Sequence, residues 1–189
     1  MIYDVQLMAS KLSRWEKYMD SYQLPTWEEL PDLELYMDQL IRQVRRYLSL
    51  FPEDEQNPVI TPSIINNYVR LRVMPAPKRK RYGKLHIAYA IMICALKQVM
   101  TLTEIQKVLP PDLDEAQMRQ LYNDFVRKVT TATRLFMDEV RSSAKSVMEE
   151  QNAYGCESLV LHSAVSSVLY KLLTAKLTAL QILPEQTAE

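Results

Sequence analysis

Glycine is nearly absent, with Gly83 and Gly155 the only two in 189 residues. Phosphate-cradling loops and dinucleotide fingerprints need clustered glycines so that backbone can approach phosphate, and neither can be built here. The G-x-S-x-G nucleophile elbow is missing as well. Cysteine is as scarce: Cys94 and Cys156 lie far apart inside apolar helical patterns. That predicts two buried free thiols and a reducing, cytoplasmic setting. The two histidines, His86 and His162, are isolated, and no C-x-x-C or H-E-x-x-H spacing occurs, so neither a metal nor another cofactor is expected. His162 sits among Leu and Val and reads as a hydrogen-bonded core residue. No nucleophile–base or paired-carboxylate spacing stands out, and no enzyme is expected. The N-terminus lacks a basic start followed by an apolar run. The longest apolar stretch, Leu85–Met100, is shorter than the ~20 residues of a bilayer span, so it reads as a buried helix and no membrane partner is expected.

What is present is a hydrophobic content of 48%, that of a folded chain, with helical periodicity almost throughout. Residues 2–21 carry Val5, Met8, Leu12, Trp15 and Met19 on one face. Residues 24–33 hold two prolines and read as a linker. A second helix is predicted over Asp32–Leu50, followed by a polar loop, Phe51–Val59, whose acids Glu53, Asp54 and Glu55 read as a solvated turn. Thr61-Pro62 is an N-cap followed by a proline at the first helical position, and it starts a helix to about Leu71. Pro75 and Pro77 end that helix, Lys78–Lys84 forms a basic turn or small hairpin, and another helix runs from Lys84 to Met100. Thr101 and Glu104 form a capping box for a short helix to Leu109. A long helix is predicted from an Asp112 cap, with Glu115 three residues on, to about Gln151. After a turn at Gly155, a last helix covers about Glu157–Leu183.

The last helix has a heptad-like seam, Leu161, Val165, Val168, Leu172, Ala175, Ala179 and Ile182, and a second one, Leu169, Leu173, Leu177 and Leu180. The second seam either packs on the N-terminal helices of the same chain or forms a homodimer interface. Ser163, Ser166 and Ser167 on this apolar helix would suit a small-molecule effector, though small polar residues at helix contacts explain them more plainly.

Charge is strongly segregated although the formal net charge is +0. Residues 1–60 hold six bases and eleven acids, and residues 104–189 hold nine bases and twelve acids. Residues 61–103 hold eight bases and no acid: Arg70, Arg72, Lys78, Arg79, Lys80, Arg81, Lys84 and Lys97. Such a block points to a polyanionic partner, because Lys and Arg on phosphates release condensed counterions. The helix begun by Thr61 and Ser63 presents hydroxyls and free backbone N–H groups, which suit a phosphate. Asn66 and Asn67 follow one turn on, and Asn pairs bidentately with the major-groove edge of adenine. Arg70 lies one turn beyond Asn66. Lys78–Arg81 supplies charge without base readout.

These residues resemble the second helix and wing of the MerR-type winged helix-turn-helix. The matching features are the Thr61-Pro62 start, Tyr68 as the mid-helix aromatic, the Arg72-Val73-Met74-Pro75 exit and the Lys78–Tyr82 wing. The stretch LKQVMTLTEIQKVL is similar to that family's core helix and its successor, and the resemblance covers about Ile60–Leu109. The whole chain resembles, more closely, an uncharacterised bacterial domain family built around LYMDQ, TPSIINNYV and AYAIMICALKQV and described as MerR-like. The resemblance implies an all-α fold with a MerR-like winged helix-turn-helix core and a long C-terminal antiparallel helical hairpin. It divides the chain into residues 1–31 (helix and linker), 32–110 (winged domain) and 111–189 (hairpin for dimerisation or effector binding). It implies double-stranded DNA as partner and a role in transcription regulation, and the seams of the last helix supply the expected homodimer. A non-catalytic protein-interaction adaptor on the same scaffold is the alternative. The resemblance makes Ser63, Asn66, Asn67 and Tyr68 recognition-helix contacts and Arg79, Arg81 and Tyr82 wing contacts; Thr61 of the helix start and Arg70, Arg72, Lys78, Lys80 and Lys84 of the basic block complete the expected DNA contacts. Two departures stand out. Arg72 replaces the glycine usual at the helix exit, and the partner helix is separated by a long loop.

Overall fold

The computed structural model describes residues 4–51, 58–145 and 153–180. Every regular element among them is a helix: α1 Val5–Ser21, α2 Met37–Tyr47, α3 Pro62–Arg70, α4 Lys84–Leu96, α5 Leu102–Val108, α6 Glu115–Ser143 and α7 Ala153–Ala179. The protein is all-α. Where a stranded wing was expected, two isolated antiparallel bridges form, Leu35 with Tyr82 and Lys78 with Arg81. The acids Glu53, Asp54 and Glu55, Ile182 of the first seam, and the expected helix ends at Gln151 and Leu183, lie outside the described residues.

Local chemistry starts the helices. Thr61 Oγ1 accepts from the Ile64 N–H at 3.2 Å with Pro62 at the first helical position. In the box at α5, Glu104 Oε2 accepts from the Thr101 N–H at 2.7 Å and Thr101 Oγ1 from the Glu104 N–H at 3.3 Å. The box that opens α6 is Asp114 with Gln117, two residues after the predicted Asp112 and Glu115. Both pairs fit the same local pattern, so sequence spacing could not choose between them. Gly155 lies inside α7 and is buried, not in a turn.

Two compact units divide the chain: Met1–Leu24 with Arg127–Leu172, and Pro25–Val126 with Leu173–Glu189. They cut across the three-part division read from the sequence, because both long helices contribute to both units. In the first unit, Arg141 joins α6 to α1 through Glu16 at 2.6 Å and Asp20 at 2.9 Å, beside an edge-on contact of Trp15 with Phe136. Within it α6 and α7 run in opposite senses. Glu139 faces His162 at 3.1 Å, and Phe136 and Ser143 line one cleft with Ser166 and Leu159. His162 is therefore an exposed hydrogen-bonding partner of Glu139 rather than a core residue.

In the second unit α4 is the central element, with every residue from His86 to Cys94 buried. Buried in the same unit are Leu40, Ile41 and Val44 of α2, Ile65 and Tyr68 of α3, Ile105 of α5, and Met118 and Tyr122 of α6. The Trp27 ring meets Tyr122 edge-on, and the Trp27 backbone N–H donates to Asn123 Oδ1 at 2.8 Å. A helix apolar on every side has to be enclosed. The last turn of α7 is tied here by Lys107 Nζ, which reaches the Thr178 carbonyl at 3.4 Å.

The rest of α7 follows another rule. Val160, Leu161, Val165, Val168, Leu169, Tyr170, Leu172, Leu173 and Leu177, with Leu180 just beyond the helix, are 45–66% exposed. The described large apolar residues of both predicted seams are exposed. Gly155–Ala179, at 25 residues, is long and apolar enough by composition to cross a bilayer. It carries Lys171 and Lys176, and the stretch of α6 beside it exposes Arg134, Asp138, Glu139 and Arg141.

Candidate nucleic-acid interface

α3 turns Ile65 and Tyr68 inward and Ser63, Asn66 and Arg70 outward, in steps of three and four that align on one helix face. Arg70 Nη2 donates to Asn67 Oδ1 at 2.6 Å, which fixes the Asn67 amide on the half-buried flank of that face.

The α3 exit is a Schellman closure. The Val73 N–H donates to the Tyr68 carbonyl at 2.9 Å and the Arg72 N–H to the Val69 carbonyl at 3.1 Å. Arg72 takes φ 52°, the left-handed conformation that usually selects glycine, at a cost of about 1–2 kcal/mol for a residue with a Cβ. Gln106 of α5 braces the exit, its Nε2 donating to the Leu71 carbonyl at 2.8 Å. Sequence reading missed Gln106, because a lone amide on a short helix carries no local signal.

The basic tip is a two-residue reversal. The Arg81 N–H donates to the Lys78 carbonyl at 2.9 Å, and Arg79 and Lys80 between them have φ of 50° and 60°. That is the type I′ geometry, in which Asn-Gly is the unstrained choice. Two long cationic residues occupy strained positions at the apex, and such strain gathers where function holds it. The tip base is pinned by paired hydrogen bonds, Leu35 N–H to Tyr82 carbonyl and Tyr82 N–H to Leu35 carbonyl, both 2.9 Å.

Helix and tip meet. A groove of about 390 Å³ is lined by Asn66 and Arg70 of α3, Lys80 of the apex, Met37 of α2, and Pro77 and Tyr82. Met37 carries no charge, and although it lies within the LYMDQ stretch only the fold brings it to the groove. Lys78, Arg79, Lys80, Arg72, Ser63 and Arg70 are exposed, and Thr61 is half-buried as a cap. Arg81 lies over the Tyr36 ring at 3.6 Å, and Lys84 Nζ lies 5.5 Å from the Trp27 ring centre. Both cations are half-buried against aromatic rings. Tyr68 and Tyr82, expected as DNA contacts, are each 4% exposed: Tyr68 is a core residue, and Tyr82 contributes only a small edge to the groove wall. Tyr68 hydrogen-bonds Cys94 in the core, and burial raises its phenol pKa. Tyr82 stacks edge-on against His86, 5.5 Å between ring centres. Both are large aromatics whose faces meet α4, and the energy of burying them outweighs contact with solvent.

Among the described residues, no group of three or more His, Cys, Asp or Glu is placed to hold a metal ion. A family model described as "Domain of unknown function (DUF1836)" matches residues 25–125, the stretch that builds the groove, the tip and α4. The chain belongs to the DUF1836 family. No curated protein and no solved structure matches it significantly. The DUF1836 match ends just before the second unit's own segment of α6 does, at Val126, and begins with it at Pro25.

Proposed function

We propose that this DUF1836 protein is a DNA-binding transcriptional regulator whose α3 and basic tip form a MerR-like reading head on duplex DNA. One observation carries the reading: Asn66, Arg70 and Lys80 line a single groove, with a recognition-type amide and cations on the same exposed ridge. Lys78, Arg79, Lys80, Arg70 and Arg72 neutralise phosphates, and Ser63 and Asn66 face the bases. Arg81 and Lys84 act as half-screened neighbours.

A homodimer completes the regulator. The exposed apolar side chains of α7, from Val160 to Leu177, run along one helix as a larger apolar surface than the scattered single residues a monomer usually shows. Two copies joined through α7 present two reading heads, and their sites on DNA are then symmetric half-sites. A small effector would occupy the cleft of about 180 Å³ between α6 and α7, lined by Ser163, Ser166 and Ser167. There the Ser163 and Ser167 hydroxyls already donate to backbone carbonyls four residues back, at 2.9 and 2.8 Å.

The test is retardation of random and selected duplexes by the whole chain across salt. Contact with six or more phosphates per dimer gives a loss of ~10³ in affinity between low and moderate salt. Replacing Lys78, Arg79 and Lys80 by Ala weakens binding to all sequences alike, whereas Asn66→Ala relaxes preference at particular bases. No retardation at micromolar protein selects the second reading, a protein-interaction adaptor, which the uncovered face of α7 favours.

A further inference from the structure

The tip that carries Lys78–Arg81 is closed at its base by one side chain from α4. His86 Nδ1 accepts from the Gly83 N–H at 3.1 Å, and Nε2 faces the Ala76 carbonyl at 3.4 Å. Because Nδ1 is the acceptor, the neutral ring carries its hydrogen on Nε2 and donates to Ala76. Ala76 and Gly83 are the two ends of the tip, one on each side of the Lys78–Arg81 reversal. Gly83 is also the N-cap of α4 and has no side chain to close its own half of a capping box. The imidazole edge against Tyr82 fixes the ring plane.

We propose that neutral His86 is the positioning residue of the basic tip, and that a proton on Nδ1 releases the Gly83 end and scatters the cationic ridge. A protonated Nδ1 would confront the Gly83 N–H donor to donor, leaving that N–H without an acceptor at the base of the tip. The groups facing the ring are Lys78 and Tyr82, with the backbone of Ala76 and Gly83. Burial holds the His86 pKa below the ordinary histidine value, the Ala76 carbonyl pulls it up, and Lys78 adds to the lowering. The sign follows. A depressed histidine pKa leaves the clamp intact above the unfolded value of about 6.5, and its contribution is lost as pH falls through the lower folded value. Generic electrostatics runs the other way, since acid makes a protein more cationic and strengthens its hold on polyanions. Weaker binding on acidification is thus a signature of the clamp.

The chain supplies its own template for a non-titrating clamp. Gln39 Oε1 accepts from the Tyr36 N–H at 2.8 Å and Gln117 Oε1 from the Asp114 N–H at 3.0 Å, each three residues after its cap, as His86 is after Gly83. His86→Gln is therefore expected to keep the Gly83 bond and lose the proton.

The inference rests on the tip being the polyanion contact, so the clamp and the contact are read separately. NMR on the whole wild-type chain follows the His86 ring and the backbone amides of Ala76, Lys78–Arg81 and Gly83 from pH 8 to pH 5. The expected result is one shared step below pH 6.5, with the Gly83 amide losing protection from exchange. Retardation of a random-sequence duplex over the same range is expected to weaken at least about tenfold through that step for wild type, and not for His86→Gln. Tip amides that stay fixed while His86 titrates overturn the clamp, as does a His86→Gln chain that keeps the wild-type pH dependence. Amides that move with His86 in a chain that retards no duplex at neutral pH uphold the clamp and overturn the DNA reading. The wild-type titration decides the matter even where a variant fails to fold.

Discussion

The Arg81 guanidinium carbon stands 3.6 Å above the ring centre of Tyr36, the residue that caps α2. Beside them the Leu35–Tyr82 bridge joins the same two segments through backbone. The tip is thus fastened to the entry of α2 by a cation–π contact and a hydrogen-bonded pair. A double-mutant cycle with Tyr36→Leu and Arg81→Gln, read by urea denaturation, is expected to give a coupling of about 0.5–1 kcal/mol. Additive losses would show that the stacked pair contributes nothing beyond its separate members.

The apex residues set stability against binding. Lys80→Gly relieves a left-handed backbone and should stabilise the fold by roughly 1 kcal/mol, while removing a groove cation and weakening duplex binding. Lys80→Ala keeps the strain and loses the same charge. Equal binding losses in both, with a higher melting temperature in the glycine variant alone, is the outcome anticipated. If the glycine variant melts lower, the turn is not strained as its φ values indicate.

Tyr68 belongs to the core, and its variants should report so. Tyr68→Ala is expected to cost about 3–5 kcal/mol, and Tyr68→Phe, which removes only the hydroxyl bonded to Cys94, about 1 kcal/mol. Base preference should be untouched in Tyr68→Phe. Burial pushes the Cys94 thiol up to about 12, so near neutral pH it is protonated and enclosed. Alkylation of Cys94 is expected to follow global unfolding in urea. Rapid labelling of the native chain would place this part of α4 at the surface instead.

The α7 surface gives a prediction on assembly. Val168→Asp with Leu172→Asp, on exposed positions of one seam, is expected to convert a dimer to a monomer in sedimentation velocity without lowering the helical circular dichroism. Wild type that sediments as a monomer at tens of micromolar removes the dimer. Wild type that instead partitions onto neutral phospholipid vesicles gives α7 a lipid partner.

Some of this protein was legible in the chain because its causes are local. Thr61-Pro62 and the Thr101–Glu104 box each act within one turn, so their helix starts stand where the spacing put them. Asp112 and Asp114 offered the same local pattern, and the cap that forms is Asp114 with Gln117. His162 was misplaced because an apolar neighbourhood in sequence became a solvent-facing one in space.

The sequence alone determined that the chain is helical, that glycine-built phosphate loops are impossible, and that bases gather in residues 61–103. Composition, caps and periodicity act over a few residues and need no fold to be read. Tertiary structure alone decided that Asn66, Arg70, Lys80 and Met37 share a groove, that Tyr68 and Tyr82 turn inward, and that His86 holds both ends of the tip. Those outcomes depend on which face of each helix the enclosed α4 takes up, and burial is settled between segments rather than within one.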